Sequence, residues 1–422
     1  MRSLSTGYDP LNRVTGAPYG YLYRSPNQGI LAVQSNEYAA PSFGYDAVGN
    51  ITTIKRMGMV AGVDCFEPKT IDNLSLIYDP ASSRLNKVID SAPADGRPYG
   101  FKPGANNNAL YQHDDNGNMT YDPHKGLNMQ YNFLNLPSQI GQMRLTYDAT
   151  GRKWSKDGEF GTTSYASGIE YHDGKLEAIY APDGRMVAEY TNGQITRYRA
   201  EYFHQDHLGN TRLGFSDFNQ NGRIDLEEEN PSTPLNEFEV TQESHYYPFG
   251  MNQDGPWYAA VAPENKYLYN GKELSADYEI NLYAYGARWY DPAVGRFTGV
   301  DPIAEEFPHL SVYNYASNDP VRNIDLHGLQ GVPYVVGEIL NRVENVFAPV
   351  KEKYDAIKAT GETQKRAQLV TKGTGNVVFG VLGTLGAVAL APESGGASGV
   401  AIPFTLGEVR HEERIKCTIM AQ

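Results

Sequence analysis

One dipeptide constrains this chain more than any other feature: Tyr followed by Asp, recurring in the same kind of turn. Tyr8-Asp9 opens YDPLNRVTG, Tyr45-Asp46 opens YDAVGNITTI, Tyr78-Asp79 opens YDPASSRLNKV, Tyr121-Asp122 opens YDPHKGLN and Tyr147-Asp148 opens YDATGRKWS. The steps between them run from 26 to 43 residues, a loose period. Each unit has an aromatic strand end, a Pro/Gly/Asn turn, Arg or Asn, and then another strand. Asp after Tyr can fold back on its own backbone, and Gly or Asn supplies the positive φ that a tight hairpin needs. One hairpin cannot bury a core by itself, so neighbours must stack edge to edge. The pattern predicts a mainly β chain whose hairpins form one quasi-continuous sheet over residues 1–200.

Composition agrees. Gly makes up 43 of the 422 residues and Tyr 31, while charged residues are only 20%. That mixture excludes a coiled coil or helix-rich bundle, and the aromatic content excludes a disordered tail. The net charge of −14 argues against a nucleic-acid backbone as main partner. The two cysteines, Cys65 and Cys417, cannot make a disulfide scaffold and fit no C-x-x-C pair. The opening MRSLSTGYDPLNRVTG has no apolar h-region, so no signal peptide is expected there, and the chain reads as a shortened member of something larger.

Residues 201–329 carry longer and more specific motifs. They begin EYFHQDHLGNTRLGFSD, continue through YYPFG at 246–250 and YLYNGKEL at 267–274, then YAYGARWYDPAVGRFTGVDP at 283–302, and close with YNYASNDPVRNIDLHGL at 313–329. With the Tyr-Asp units, this order resembles the RHS family of YD-repeat proteins and its RHS repeat-associated core, of the bacterial type. The resemblance implies a spiral β-sheet wound into a hollow cocoon, a core domain at 201–329 that plugs one end, and an enclosed C-terminal effector that the plug cuts free. At this length the chain is expected to hold a partial shell plus the plug. The resemblance further implies a polymorphic toxin or secreted effector system, at the cell surface or outside it. Its partners would be the chain's own C-terminal segment, an immunity protein and a secretion-system component.

Self-cleavage of the aspartyl-protease type needs two carboxylates close enough to share a proton and a cation to lower one pKa and steady the oxyanion. The core supplies Arg288, Asp291, Asp301, Asp319 and Asp325 in a turn-rich span. Carried over from the family motif, Arg288, Asp301 and Asp325 are the expected catalytic set, with the scissile bond at Leu329–Gln330. The closing motif reads Asp325-Leu326-His327-Gly328-Leu329, with Leu where the family has Pro. Loss of that Pro frees the backbone beside Asp325. The competing reading makes these aspartates ordinary turn residues and the protein a non-enzymatic surface or adhesion module.

Between two strand-like stretches lies Asp217-Phe-Asn219-Gln-Asn221-Gly222-Arg223-Ile224-Asp225-Leu-Glu-Glu228, which satisfies the D-x-[DN]-x-[DN]-G-x₅-E calcium pattern. Asp217, Asn219, Asn221, Asp225 and Glu228 offer side-chain oxygens, and Arg223 its carbonyl, to a hard cation such as Ca²⁺. The flanks read as strand and Pro-rich loop, so the expectation is a lone calcium loop that pins a long connection. His204 and His207 sit three apart on a strand and face opposite sides, which favours structural roles.

After Leu329 the character changes. Residues 335–370 are partly at helical spacing, and a Gly-rich apolar run, VVFGVLGTLGAVALA at 377–391, follows. The run is 15 residues, short of the ~20 that span a bilayer, so membrane contact there is expected to be weak. Residues 330–422 are expected to be a variable, partly α-helical tail, a truncated effector without a nuclease or deaminase constellation.

Overall fold

The computed structural model describes residues 6–25, 29–62, 65–101, 110–224, 239–255 and 262–333. The expected helical tail lies outside the described residues, as do Asp225 and Glu228. Met1–Tyr334 form one compact unit and Val335–Gln422 a second.

The described chain is mainly β. Strands Gly7–Tyr8, Val14–Ser25 and Gly29–Ala40 form a three-stranded sheet, and Ser42–Tyr45, Ile51–Ala61, Phe66–Tyr78 and Leu85–Asp90 a four-stranded one. Thirteen strands then run from Gln112–His113 to Val240–Glu243, each antiparallel to its sequence neighbour. The last sheet passes through residue 200 without a break, because Gln194–Gln205 pairs on both sides. A four-stranded sheet, Glu273–Ser275 to Arg296–Phe297, and the hairpin Asn323–Leu326 with Gln330–Pro333 complete the unit.

The repeat has a clear structural content. In three units the Asp carboxylate accepts backbone N–H groups two and four residues on: Leu11 and Arg13 for Asp9, Val48 and Asn50 for Asp46, Thr150 and Arg152 for Asp148. The third residue after it takes positive φ, as Asn12, Gly49 and Gly151 do. The preceding Tyr marks a register shift, at Tyr8, Tyr45, Tyr78 and Tyr147. His113-Asp114, Tyr131-Asn132 and Gln205-Asp206 build the same turn without the Tyr-Asp spelling. Tyr78-Asp79 and Tyr121-Asp122 depart from it: Asp79 accepts from Ala81 in a turn one residue longer, closed by its N–H on the Arg84 carbonyl, and Asp122 accepts from His124 and Lys125 in a tighter hairpin.

Successive units are tied through the tyrosines. The Tyr45 hydroxyl donates to the Val14 carbonyl (2.6 Å), Tyr78 to Ile51 (2.7 Å) and Tyr131 to Met119 (2.9 Å). Each acceptor begins the return strand of the preceding turn. The ring is buried in the stack while its polar tip finds a partner, which is the use Tyr suits.

The core segment 246–325 packs its aromatic residues into this frame. Tyr283, Tyr290, Phe297 and Tyr315 are fully buried, and the Tyr290 and Tyr315 rings stack 4.3 Å apart. Its polar seams reach the repeats directly. Tyr247 donates to the Met57 carbonyl (2.7 Å), Asn318 to Gly49 (2.8 Å) and Tyr313 to Gly117 (2.7 Å). Arg56 is wholly buried, pairs with Asp72 at 2.8 Å, and donates to the Ala293 carbonyl at 2.9 Å. A second seam joins Lys156 to Glu273 and Asp277, with Tyr165 donating to Glu273.

Asp72→Ala should lower the unfolding free energy by about 3–5 kcal/mol, because it leaves the Arg56 cation buried without its counter-charge. Denaturant titration of wild type and variant measures this; a change below 1 kcal/mol would mean that Arg56 finds another partner.

Candidate functional site

Three separate turns bring the charged residues together. Arg288 follows a tight reversal at Gly286, where the Tyr285 N–H bonds the Arg288 carbonyl (3.0 Å) and the Ala287 N–H bonds the His327 carbonyl (3.0 Å). Asp301 opens a turn whose Ile303 N–H it caps at 3.0 Å, and its own N–H bonds the Val312 carbonyl. Asp325 lies in the strand Asn323–Leu326, opposite Gly331 of the return strand. Leu329 lies in the connecting turn and Gln330 begins the return strand.

Arg288 is the hub. It is 3% exposed, and its Nη2 lies 2.9 Å from Asp301 Oδ2 and 3.6 Å from Asp325 Oδ2. Its Nε donates to the Gly328 carbonyl at 2.5 Å and Nη1 to the Val312 carbonyl at 3.2 Å. The guanidinium lies 3.7 Å from the centre of the Phe297 ring, a cation–π contact. Arg288, Asp301 and Asp325, named from sequence, therefore converge. The other two aspartates of that span do not: Asp291 pairs with Lys125 (2.9 Å) and Asp319 with Arg322 (2.6 Å).

The two carboxyls sit in different surroundings. Asp325 is 1% exposed, and neither oxygen accepts a well-formed hydrogen bond. Burial pushes its pKa up to about 7, Asp301 pushes the same way, and Arg288 and Lys272 oppose. Asp301 is also raised by burial, with Arg288 opposing. Asp301 also lines a pocket of about 300 Å³, together with Arg288, Trp289, Asn116, Asn118 and Asn135. One carboxyl thus faces a solvent-sized space and the other is sealed, an arrangement that separates base from acid.

Lys272 escaped the sequence reading. Its ammonium acts on Asp325, and burial lowers its own pKa. A lysine inside YNGKEL carries no sequence signal for this placement. Gly328, read from sequence only as part of the closing motif, has φ +73°, and a Cβ there would meet the Arg288 backbone nitrogen at 3.1 Å.

In the candidate calcium loop, the described oxygens turn onto backbone N–H groups. Asp217 accepts from Asn221 (3.1 Å) and Gly222 (2.9 Å), Asn219 from Asn221 (2.9 Å), and Asn221 from Arg223 (2.7 Å). Among the described residues, no three His, Cys, Asp or Glu side chains form a metal-sized group. His207 Nε2 lies 3.0 Å from the Val321 carbonyl.

No family model matches the chain. A stretch of 145 residues is 29% identical to toxin subunit YenC2 of Yersinia entomophaga, covering 33% of this chain and 14% of that protein. Toxin subunit YenC1 of the same organism is 28% identical over 146 residues, 34% of this chain and 14% of that protein. A shorter stretch of 70 residues is 43% identical to salivary gland surface protein 1 of Aedes aegypti, 17% of this chain and 2% of that protein. A solved structure, TcdB2-TccC3-TEV, aligns over 77% of this chain and 15% of that one, at 18% identity and a TM-score of 0.49. The matched stretches cover about one seventh of each toxin subunit and a far smaller share of the salivary gland protein.

The sign of the Asp325 shift sets a pH dependence. A carboxyl raised in the folded state contributes stability below its unfolded pKa and loses it as pH rises through its folded pKa. Between about pH 4 and pH 7 the protein should therefore lose stability that Asp325→Asn, neutral throughout, retains. Thermal melts should show the variant ahead of wild type above pH 7 and the gap closing near pH 4; a constant gap would contradict the assignment.

Proposed function

We propose that this chain is the repeat-and-plug part of an RHS-type toxin subunit, and that it severs its own C-terminal segment by aspartyl-type hydrolysis in the turn 327–330. The observation that carries the reading is the convergence of Arg288, Asp301 and Asp325 on that turn. Asp301, beside the pocket, takes a proton from water. Asp325, held neutral, returns one to the leaving amine. Arg288 holds Asp301 and stabilises developing negative charge on a backbone carbonyl. The family resemblance puts the cut at Leu329–Gln330. Kinship with toxin subunits supports a role in a toxin complex, with the C-terminal segment as cargo and a secreted or cell-surface location. An immunity protein and a secretion-system component belong to the same reading as partners.

Asp301→Asn should leave the 46.7 kDa chain intact in a mass spectrum where wild type yields two pieces. Cutting should slow as pH rises past about 7, when Asp325 loses its proton. Equal processing of wild type and Asp301→Asn would favour the surface or adhesion module instead, the reading that the salivary gland surface protein match supports.

Ca²⁺ at 217–228 is a separate proposal, supported by the ligand pattern and by the positive φ of Gly222 at the sharp turn. Calorimetric titration should show millimolar or tighter binding that Asp217→Ala abolishes; no heat with wild type would reduce the segment to a loop.

A further inference from the structure

We infer that Glu170 works as a proton-operated clasp: the core hairpin 266–274 lies tight on the thirteen-stranded sheet while Glu170 carries a proton, and loosens when that proton leaves. The clasp is a closed square of two carboxyls and two phenols. Tyr165 and Glu170 face each other across the hairpin of Gly161–Ala166 and Ile169–His172. Tyr267 and Glu273 face each other across the core hairpin. The phenols cross between the two hairpins: Tyr165 donates to Glu273 Oε1 (2.8 Å), and Tyr267 donates to Glu170 Oε1 (2.5 Å). Each hairpin supplies one donor and one acceptor to the other.

The two acceptors are not equivalent, although each is 3% exposed. Glu273 takes two lysines: Lys153 on Oε2, and Lys156 on Oε1 at 3.2 Å, with Lys156 also on Asp277 at 2.9 Å. Among the described residues, no cation lies within ion-pair distance of Glu170, and its side chain accepts from the Tyr267 hydroxyl. An ionised Glu170 therefore sits sealed beside a second carboxylate with a phenol for support, whereas a protonated one keeps the phenol without that cost. Burial, and then the Glu273 charge, push the Glu170 pKa up to about 7, against the Tyr267 bond, Lys266 and Lys153. Burial pushes Glu273 up too, but Lys153 and Lys156 outweigh it and hold its pKa down at about 2. Tyr180 packs edge-on to Tyr267 at 4.7 Å and carries Arg185 on its hydroxyl at 3.5 Å. Burial raises the pKa of Tyr165, Tyr180 and Tyr267, so the phenols stay protonated throughout.

The sign of the effect follows by linkage. A carboxyl raised in the docked state contributes its full stability below its free pKa and loses it as pH rises through its docked pKa. Between about pH 4.5 and 7 the docked hairpin holds more protons than the opened one, so opening grows with pH across that window and levels above it. Glu273 has the opposite sign and acts only below about pH 4.5.

Hydrogen exchange on the full chain, read by mass spectrometry and corrected for the intrinsic rate at each pH, measures the opening. From about pH 5 to 7 the opening constant of peptides covering 266–274 should rise about tenfold per unit and then level. Glu170→Gln keeps an acceptor for Tyr267 and has no proton to lose, so its opening constant should change less than about twofold per unit. Equal slopes in wild type and variant overturn the inference. If the variant does not fold, infrared spectra of wild type carrying isotope-labelled glutamate decide the matter. A protonated-glutamate band that persists at about pH 6 and is gone by about pH 8 supports the clasp, and no such band at about pH 6 overturns it.

Discussion

The carboxylate that closes each repeat turn is the interaction on which the rest of the structure depends. Asp9, Asp46, Asp114, Asp148 and Asp206 each accept backbone N–H groups from the turn they begin. Hydrogen bonds to a charged acceptor are worth about 1.5–3 kcal/mol each, roughly twice a neutral one. That energy fixes the length of the turn and therefore the register of both flanking strands. With register fixed, the Tyr hydroxyl of one unit meets the first carbonyl of the previous return strand. The sheet is assembled from local decisions that agree with one another.

The core segment is held by a different balance. Much of its contact with the repeats is polar and buried: Arg56 with the Ala293 carbonyl, Lys125 with Asp291, Lys156 with Glu273 and Asp277. Burial alone would raise the Glu273 pKa, but Lys153 and Lys156 hold it well below the usual carboxylate range. Glu170, close by and bonded by the Tyr267 hydroxyl, is instead raised by burial and by the Glu273 charge. Buried ion pairs gain little net stability over apolar packing, but they penalise every misplaced arrangement. Such seams set where the core segment sits, and with it where Arg288 meets the turn beyond Asp325.

The mainly β fold was legible because the hairpin signal is local: an aromatic, a carboxylate and a left-handed residue within a few positions. The rule was legible only in part, since Asp114, Asn132 and Asp206 use the same geometry after His, Tyr or Gln. What the turn requires is the acceptor, and the spelling of its neighbour is secondary. Arg288, Asp301 and Asp325 could be named from the motif that carries them, yet their distances depend on three turns far apart in sequence. The placement of Lys272 and the role of Gly328 were invisible for the same reason. One acts through a long-range electrostatic contact and the other through a space left empty. Asp291 and Asp319, equal candidates by composition, were removed by Lys125 and Arg322, partners that no local pattern announces.

The tyrosine links between units bear on how such chains change length. Tyr45, Tyr78 and Tyr131 each reach the return strand of the turn before them, so these links between units are local. A whole unit can be duplicated or deleted and the junction meets the same carbonyl in the same place. The number of repeat units is then free to drift in integer steps, while the core segment must stay fixed residue by residue.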